Sequence, residues 1–155
     1  MKPASLICVV VVLVLTAVAP CQESLLPPPP IVECINNLYQ EHGIVLMSSL
    51  HEEFSFTYNN TDGCSPAHSD YEFNHNHVTI WGNTAGIVHT HPRDTSPRPS
   101  DGDVQTARLA KVPNYVLSAM ELWVVLPDGS THRVAWVQNK HGILQLTIPQ
   151  EKRKM

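Results

Sequence analysis

The sequence predicts one α/β (α+β) domain, a mixed β-sheet flanked by helices. Three observations carry that expectation. The 155 residues are enough for a single domain with a sizeable core. Two segments place apolar residues at helical spacing, and six or seven short runs have strand patterning. Clusters of Gly, Pro, Asn and Asp punctuate those runs, with no internal repeat.

The elements follow in chain order. Leu6 to Ala19 is almost wholly apolar and follows Met1 and Lys2. It is short for a membrane span. With small residues at Ala17-Val18-Ala19 it reads as a secretory signal over residues 1–21. A buried strand or uncleaved anchor is the weaker alternative. Pro20 is awkward after a cut at Ala19, so cleavage after Cys21 fits better. Ala19-Pro20-Cys21 matches a bacterial lipoprotein box poorly, because proline precedes the cysteine. A secreted or periplasmic protein without a lipid anchor at Cys21 is therefore expected.

Residues 22–30 form a spacer stiffened by Pro27 to Pro30. The domain spans 31–148. Ile31, Cys34, Ile35 and Leu38 lie at helical spacing, and Gly43 is a natural stop. Ile44 to Leu50 reads as a buried strand and Phe54 to Tyr58 as an alternating one, ending at the turn cluster Asn59 to Gly63. Val78 to Trp81 and Ala85 to Thr90 read as strands around Gly82-Asn83. Pro92 to Pro99 is a proline-laced loop, and Ser100 caps a helix to Lys111. Tyr115 to Leu126 and Thr131 to Val137 read as a hairpin around Pro127-Asp128-Gly129-Ser130. Gly142 to Ile148 is the last strand, and 149–155 is a basic tail.

Net charge is −4, and no basic patch precedes Lys152-Arg153-Lys154. The tail reads as a solvated end, and no nucleic-acid partner is expected. Of four cysteines, Cys8 and Cys21 leave with the signal, and Cys34 and Cys64 remain. In an oxidising compartment that pair predicts one disulfide from the first helix to a later loop. The alternative is two buried, unpaired thiols.

The chemistry concentrates in His89-Thr90-His91-Pro92, seven residues, then Ser100-Asp101-Gly102-Asp103. Two imidazoles and a carboxylate form the three-ligand set of a catalytic zinc, with a fourth position open. On a strand, His89 and His91 point to the same face. Pro92 ends that strand, and Asp103 in the first turn of the next helix can face back toward them. Each part alone is weak. His75-x-His77 is a second His-x-His pair, and Ser100-x-x-Asp103 is also a capping-box-like helix start. The joint spacing carries the weight.

That joint pattern resembles the JAMM motif of the MPN+/JAB (JAB-domain) zinc metallopeptidase family, which has a prokaryotic JAB-like branch: His-[Ser/Thr]-His-Pro, seven residues, Ser, two residues, Asp. The resemblance implies a JAB/MPN (cytidine-deaminase-like) architecture over roughly residues 30–148. It implies Zn2+ held by His89, His91 and Asp103, acidifying a water. The family's upstream glutamate is the general base. Glu41, in Glu41-His42-Gly43-Ile44-Val45-Leu46, matches its context, with Glu52 and Glu53 as the alternatives and Glu33 inside the helix. A carboxylate at a helix end opposes the helix dipole, which favours a functional reason for Glu41. Ser100 would help zinc stabilise the oxyanion. The implied substrate is a peptide or isopeptide-linked protein, as for a secreted zinc-dependent metallopeptidase. His75, His77 and Trp81 would line the cleft or lie on the sheet surface. The main rival is a catalytically inactive MPN-type binding or scaffold domain, although every ligand is retained. A cupin needs a glutamate soon after the histidine pair. An amidohydrolase barrel needs about 250 residues. A zinc deaminase needs Pro-Cys-x-x-Cys. None of these fits.

Overall fold

A computed structural model describes residues 25–42, 52–71, 76–92, 94–140 and 143–147. The expected signal over 1–21 with Cys21, the strand expected at Ile44 to Leu50, and the basic tail lie outside the described residues.

The proline run does more than act as a stiff spacer, because its last two residues open a helix. Helix α1 spans Pro29–His42 and starts on two prolines. Proline suits a first helical turn, because its fixed φ is already helical and its missing N–H would have no partner there. The Pro28 carbonyl accepts from Ile31 N at 2.8 Å. Leu25 and Leu26 pack against the core, and Ile31 and Ile35 are buried in it.

Seven strands form one sheet: β1 Ser55–Asn59, β2 Gly63–Cys64, β3 Gly86–Thr90, β4 Asn114–Leu117, β5 Glu121–Val125, β6 Thr131–Lys140 and β7 Ile143–Thr147. Their order is β2-β1-β3-β4-β5-β6-β7. The β3–β4 pair is parallel and every other pair antiparallel. Parallel neighbours need a crossover, and helix α2, Asp101–Ala110, supplies it. The described residues thus give two helices and seven strands, in line with the mixed sheet expected.

Alternation along the strands sorts residues between two faces. Phe56, Val88, Tyr115, Leu122 and Val124 join Ile31 and Ile35 in the main core under α1. His89 and Asn114 fall on the opposite face, which α2 covers through buried Ala107 and contacts to β4 and β5. The Cys34–Cys64 disulfide ties α1 to β2. Gly86 is required by packing, because a Cβ there would lie 2.3 Å from the Tyr58 ring.

Two strand expectations are corrected. Val78 to Trp81 is not a strand. Its intended partner, β3, already pairs with β1 on one side and β4 on the other, so no edge is left for it. Trp81 and Thr84 instead close a turn, with Thr84 N donating to the Trp81 carbonyl at 3.0 Å. Tyr115 to Leu126 is two strands rather than one. Twelve extended residues would run about 40 Å, and Ser118 breaks them. Its hydroxyl donates to the Glu121 carbonyl and accepts from Glu121 N, each at 3.0 Å, closing a tight hairpin between β4 and β5. The β5–β6 hairpin turns at Pro127 to Ser130 as expected, with Gly129 at φ 88°.

Candidate metal centre

Strand β3 places His89 on the α2 face, and the backbone keeps that register one residue further. His91 N donates to the Leu117 carbonyl at 2.9 Å. Thr90 points to the other side, and its hydroxyl accepts from Phe54 N at 3.0 Å. Of the His-Thr-His triplet, the outer two residues are therefore free for chemistry while the middle one secures the strand. Pro92 is buried, and its carbonyl accepts from Thr95 N and the Thr95 hydroxyl, which turns the chain back.

The chain re-enters a helix at Ser100. The Ser100 hydroxyl accepts from Asp103 N at 3.2 Å, and the Asp103 carboxylate accepts from Ser100 N at 2.6 Å. This reciprocal capping box satisfies two N–H groups that a helix start leaves unpaired. It also holds the carboxylate beside the helix N-terminus, where the dipole favours negative charge. The carboxylate meets His89 Nε2 at 3.0 Å through Oδ1 and His91 Nε2 at 3.3 Å through Oδ2. The two Nε2 atoms lie 3.3 Å apart. Both histidines are buried, and the Asp103 side chain is 15% exposed.

The outer nitrogens decide what this cluster can do. His91 Nδ1 faces the Ser96 carbonyl at 2.8 Å. His89 Nδ1 faces Asn114 Oδ1 at 3.0 Å. Both partners accept only, so each Nδ1 carries the proton and each neutral ring presents the Nε2 lone pair. Two lone pairs and a carboxylate then converge in a buried site, an arrangement that requires a cation between them. A proton or a metal ion meets that need. A tetrahedral ion with bonds of about 2.0–2.1 Å has ligand-to-ligand edges of about 3.3 Å, against 3.0, 3.3 and 3.3 Å here. Among the described residues this is the one set of three such side chains that could hold a metal ion.

Electrostatics agree. Burial works to raise the Asp103 pKa, but in the absence of a metal the hydrogen bonds and positive charge that His89 and His91 offer once Nε2 is also protonated hold it well below the usual carboxylate range. Burial works to lower the His91 pKa, but the Asp103 carboxylate, the Ser96 carbonyl and the Glu53 charge together raise it.

A cavity of about 60 Å³ adjoins the cluster, lined by Glu53, Asn76, Val78, Thr106 and Asn114 beside His89 and Asp103. That is room for a water or two. A wider recess of about 790 Å³ shares Asn76, Val78 and Thr106 with it and continues past Ile80, Trp81 and Leu109.

The expected residues divide clearly. His89, His91 and Asp103 meet as the spacing suggested. Ser100 is exposed, caps α2 and donates its hydroxyl proton to Asp103 at 2.8 Å. Glu53 reaches the cavity, whereas Glu52 accepts from the Ser69 hydroxyl at 2.9 Å. Glu41 lies in the last turn of α1, and its side chain is outside the described residues. His75 is also outside them, and His77 is exposed and bonded to Asp70. Sequence reasoning missed Asn114 and Ser96. A polar amide just before a strand reads as a turn residue, and a backbone carbonyl leaves no mark in a sequence. The described residues contain no helix long and apolar enough to cross a membrane.

No protein-family model matches the chain, and no curated protein sequence matches it.

Proposed function

We propose that the protein is an exported zinc-dependent metallopeptidase of the JAMM type, with a JAB/MPN architecture, that hydrolyses a peptide or isopeptide bond. The observation that carries this reading is the convergence of two Nε2 lone pairs and one carboxylate at tetrahedral spacing. The donor set suits zinc: two neutral imidazoles, one carboxylate and a small cavity at the remaining position. When bound, zinc would supply Lewis acidity and an acidified water at neutral pH.

The chain's own residues supply the rest. A carboxylate at the cavity must take a proton from that water and return it to the leaving amine. Glu53 lines the cavity, and Glu41 is the residue that the family resemblance selects. The Ser100 hydroxyl is committed to Asp103, so an oxyanion role requires it to rotate toward the cavity. The wider recess past Trp81 and Leu109 gives an extended chain a path to the site. The Cys34–Cys64 disulfide suits an oxidising compartment.

The test is zinc content followed by hydrolysis. Purified protein should bind zinc near one equivalent and cleave members of a peptide and isopeptide panel. A chelator should stop cleavage, and added zinc should restore it. Glu53→Gln and Glu41→Gln should both keep zinc, and the variant of the true base should lose at least about 100-fold in rate. Zinc binding without cleavage of any substrate would favour the inactive scaffold. Absence of zinc binding would sink both the enzyme and the metal centre.

A further inference from the structure

Asn114 opens β4, and nothing in its neighbourhood, Lys111-Val112-Pro113-Asn114-Tyr115, marks it as functional. The structure buries it to 1% exposure. A buried amide is costly unless its donor and acceptor are both satisfied. Here Nδ2 donates to the Asp103 backbone carbonyl at 3.3 Å, and Oδ1 faces His89 Nδ1 at 3.0 Å. A carbonyl cannot donate, so the amide orientation is forced. Oδ1 must face the imidazole, and the imidazole must carry its proton on Nδ1.

We infer that Asn114 is a positioning residue for the metal centre, acting on two ligands from two different elements. Toward β3, it holds His89 in the tautomer that presents Nε2. Toward α2, it ties the backbone of Asp103 to the same side chain, which sets the distance from helix to strand. His91 has a weaker counterpart. Its partner, the Ser96 carbonyl, belongs to the loop that follows His91 and links it to no other ligand. The inference rests on the metal-centre reading, yet its first consequence, the tautomer of His89, exists without any metal.

Neighbouring residue types show why the amide is needed. Aspartate would still accept from His89 Nδ1 but would present an acceptor to the Asp103 carbonyl. Leucine fills a similar volume and offers neither function. Outer partners of metal-bound histidines are typically worth 10–100-fold in metal affinity.

The experiment measures two quantities on the full chain, as the parent, Asn114→Leu and Asn114→Asp. The first is the His89 tautomer in zinc-free protein in mildly alkaline buffer, read from long-range proton–nitrogen NMR correlations. The second is zinc affinity by chelator competition. The parent should show Nδ1–H. Asn114→Leu should shift toward Nε2–H, with zinc affinity falling roughly 10–100-fold. Asn114→Asp should keep Nδ1–H and bind zinc more tightly than Asn114→Leu. If Asn114→Leu does not fold, the aspartate variant still decides, because loss of Nδ1–H there overturns the inference. An unchanged tautomer and unchanged zinc affinity in Asn114→Leu overturns it as well. A parent that holds Nδ1–H but binds no zinc would refute the metal-centre reading, and with it the proposed role.

Discussion

Two regions of the molecule bring together the same set of three side chains, two histidines and one aspartate, with opposite results. In one, His89, His91 and Asp103 converge with ligand atoms 3.0–3.3 Å apart, out of solvent. In the other, His68 and His77 straddle Asp70, at 2.7 Å from Oδ1 and 2.8 Å from Oδ2. Those two imidazoles are 59% and 79% exposed and share no common point with the carboxylate. Composition is therefore no guide to a site. In the first cluster a strand aims both rings to one face and a helix cap aims the carboxylate back at them. In the second, irregular chain places the aspartate between the histidines, so it fastens a loop. Asp70 N donates to Asn76 Oδ1, while the Asp70 carboxylate accepts from His77 N at 2.6 Å. The His77 backbone N–H, with the His68 and His77 rings, lowers the Asp70 pKa to about 2.

Matched substitutions give the sharpest contrast. Asp103→Ala should weaken zinc binding by more than about 100-fold, since even outer partners are worth 10–100-fold. Asp70→Ala should leave it within about twofold of the parent. Chelator competition on both variants measures this. Comparable losses from the two would erase the distinction between the regions.

A second contrast comes from pH. In zinc-free protein the folded state holds a proton on His91 more tightly than the unfolded chain does. The stability this gives is complete below the unfolded histidine pKa of about 6.5. It is lost as pH rises through the raised folded value. Asp103 works the other way: its depressed pKa gives stability above the unfolded carboxylate value that is lost only in acid. Zinc competes with the His91 proton, so its affinity should rise over the window in which that proton leaves. Thermal melts from mildly acidic to mildly alkaline buffer should show stability falling without zinc and the zinc-induced gain growing. A zinc-induced gain that shrinks with rising pH would place the metal away from His91.

The smallest expected effect belongs to Ser100→Ala. Loss of the cap should cost about 1 kcal/mol of stability. Loss of the hydroxyl donor to Asp103 should weaken zinc binding by roughly 10-fold. Denaturant titration and chelator competition separate the two. Unchanged zinc affinity would mean that Ser100 serves the helix alone.

The linear pattern was enough for some features because each depends on local geometry. Ser100 with Asp103 three residues on is a capping box wherever it begins a helix, and α2 begins there. Two histidines two apart share a face on extended chain, and β3 carries its register one residue on, to His91. Cys34 and Cys64 were legible as a pair by elimination, and their bond is present. Assembly decided the rest. Val78 to Trp81 has strand composition, but pairing depends on a vacant edge, and β3 has none. The tight turn at Ser118 breaks an unbroken apolar run through a hydroxyl that competes for backbone partners. Asn114 and Ser96 fix the histidine tautomers from positions 25 and 5 residues away in sequence. Glu53, 36 residues before His89, reaches the same cavity. The sequence alone determined which side chains could hold a cation. Packing of β4 and α2 against β3 decided how those side chains are oriented, because hydrogen-bond direction is set in space and not along the chain.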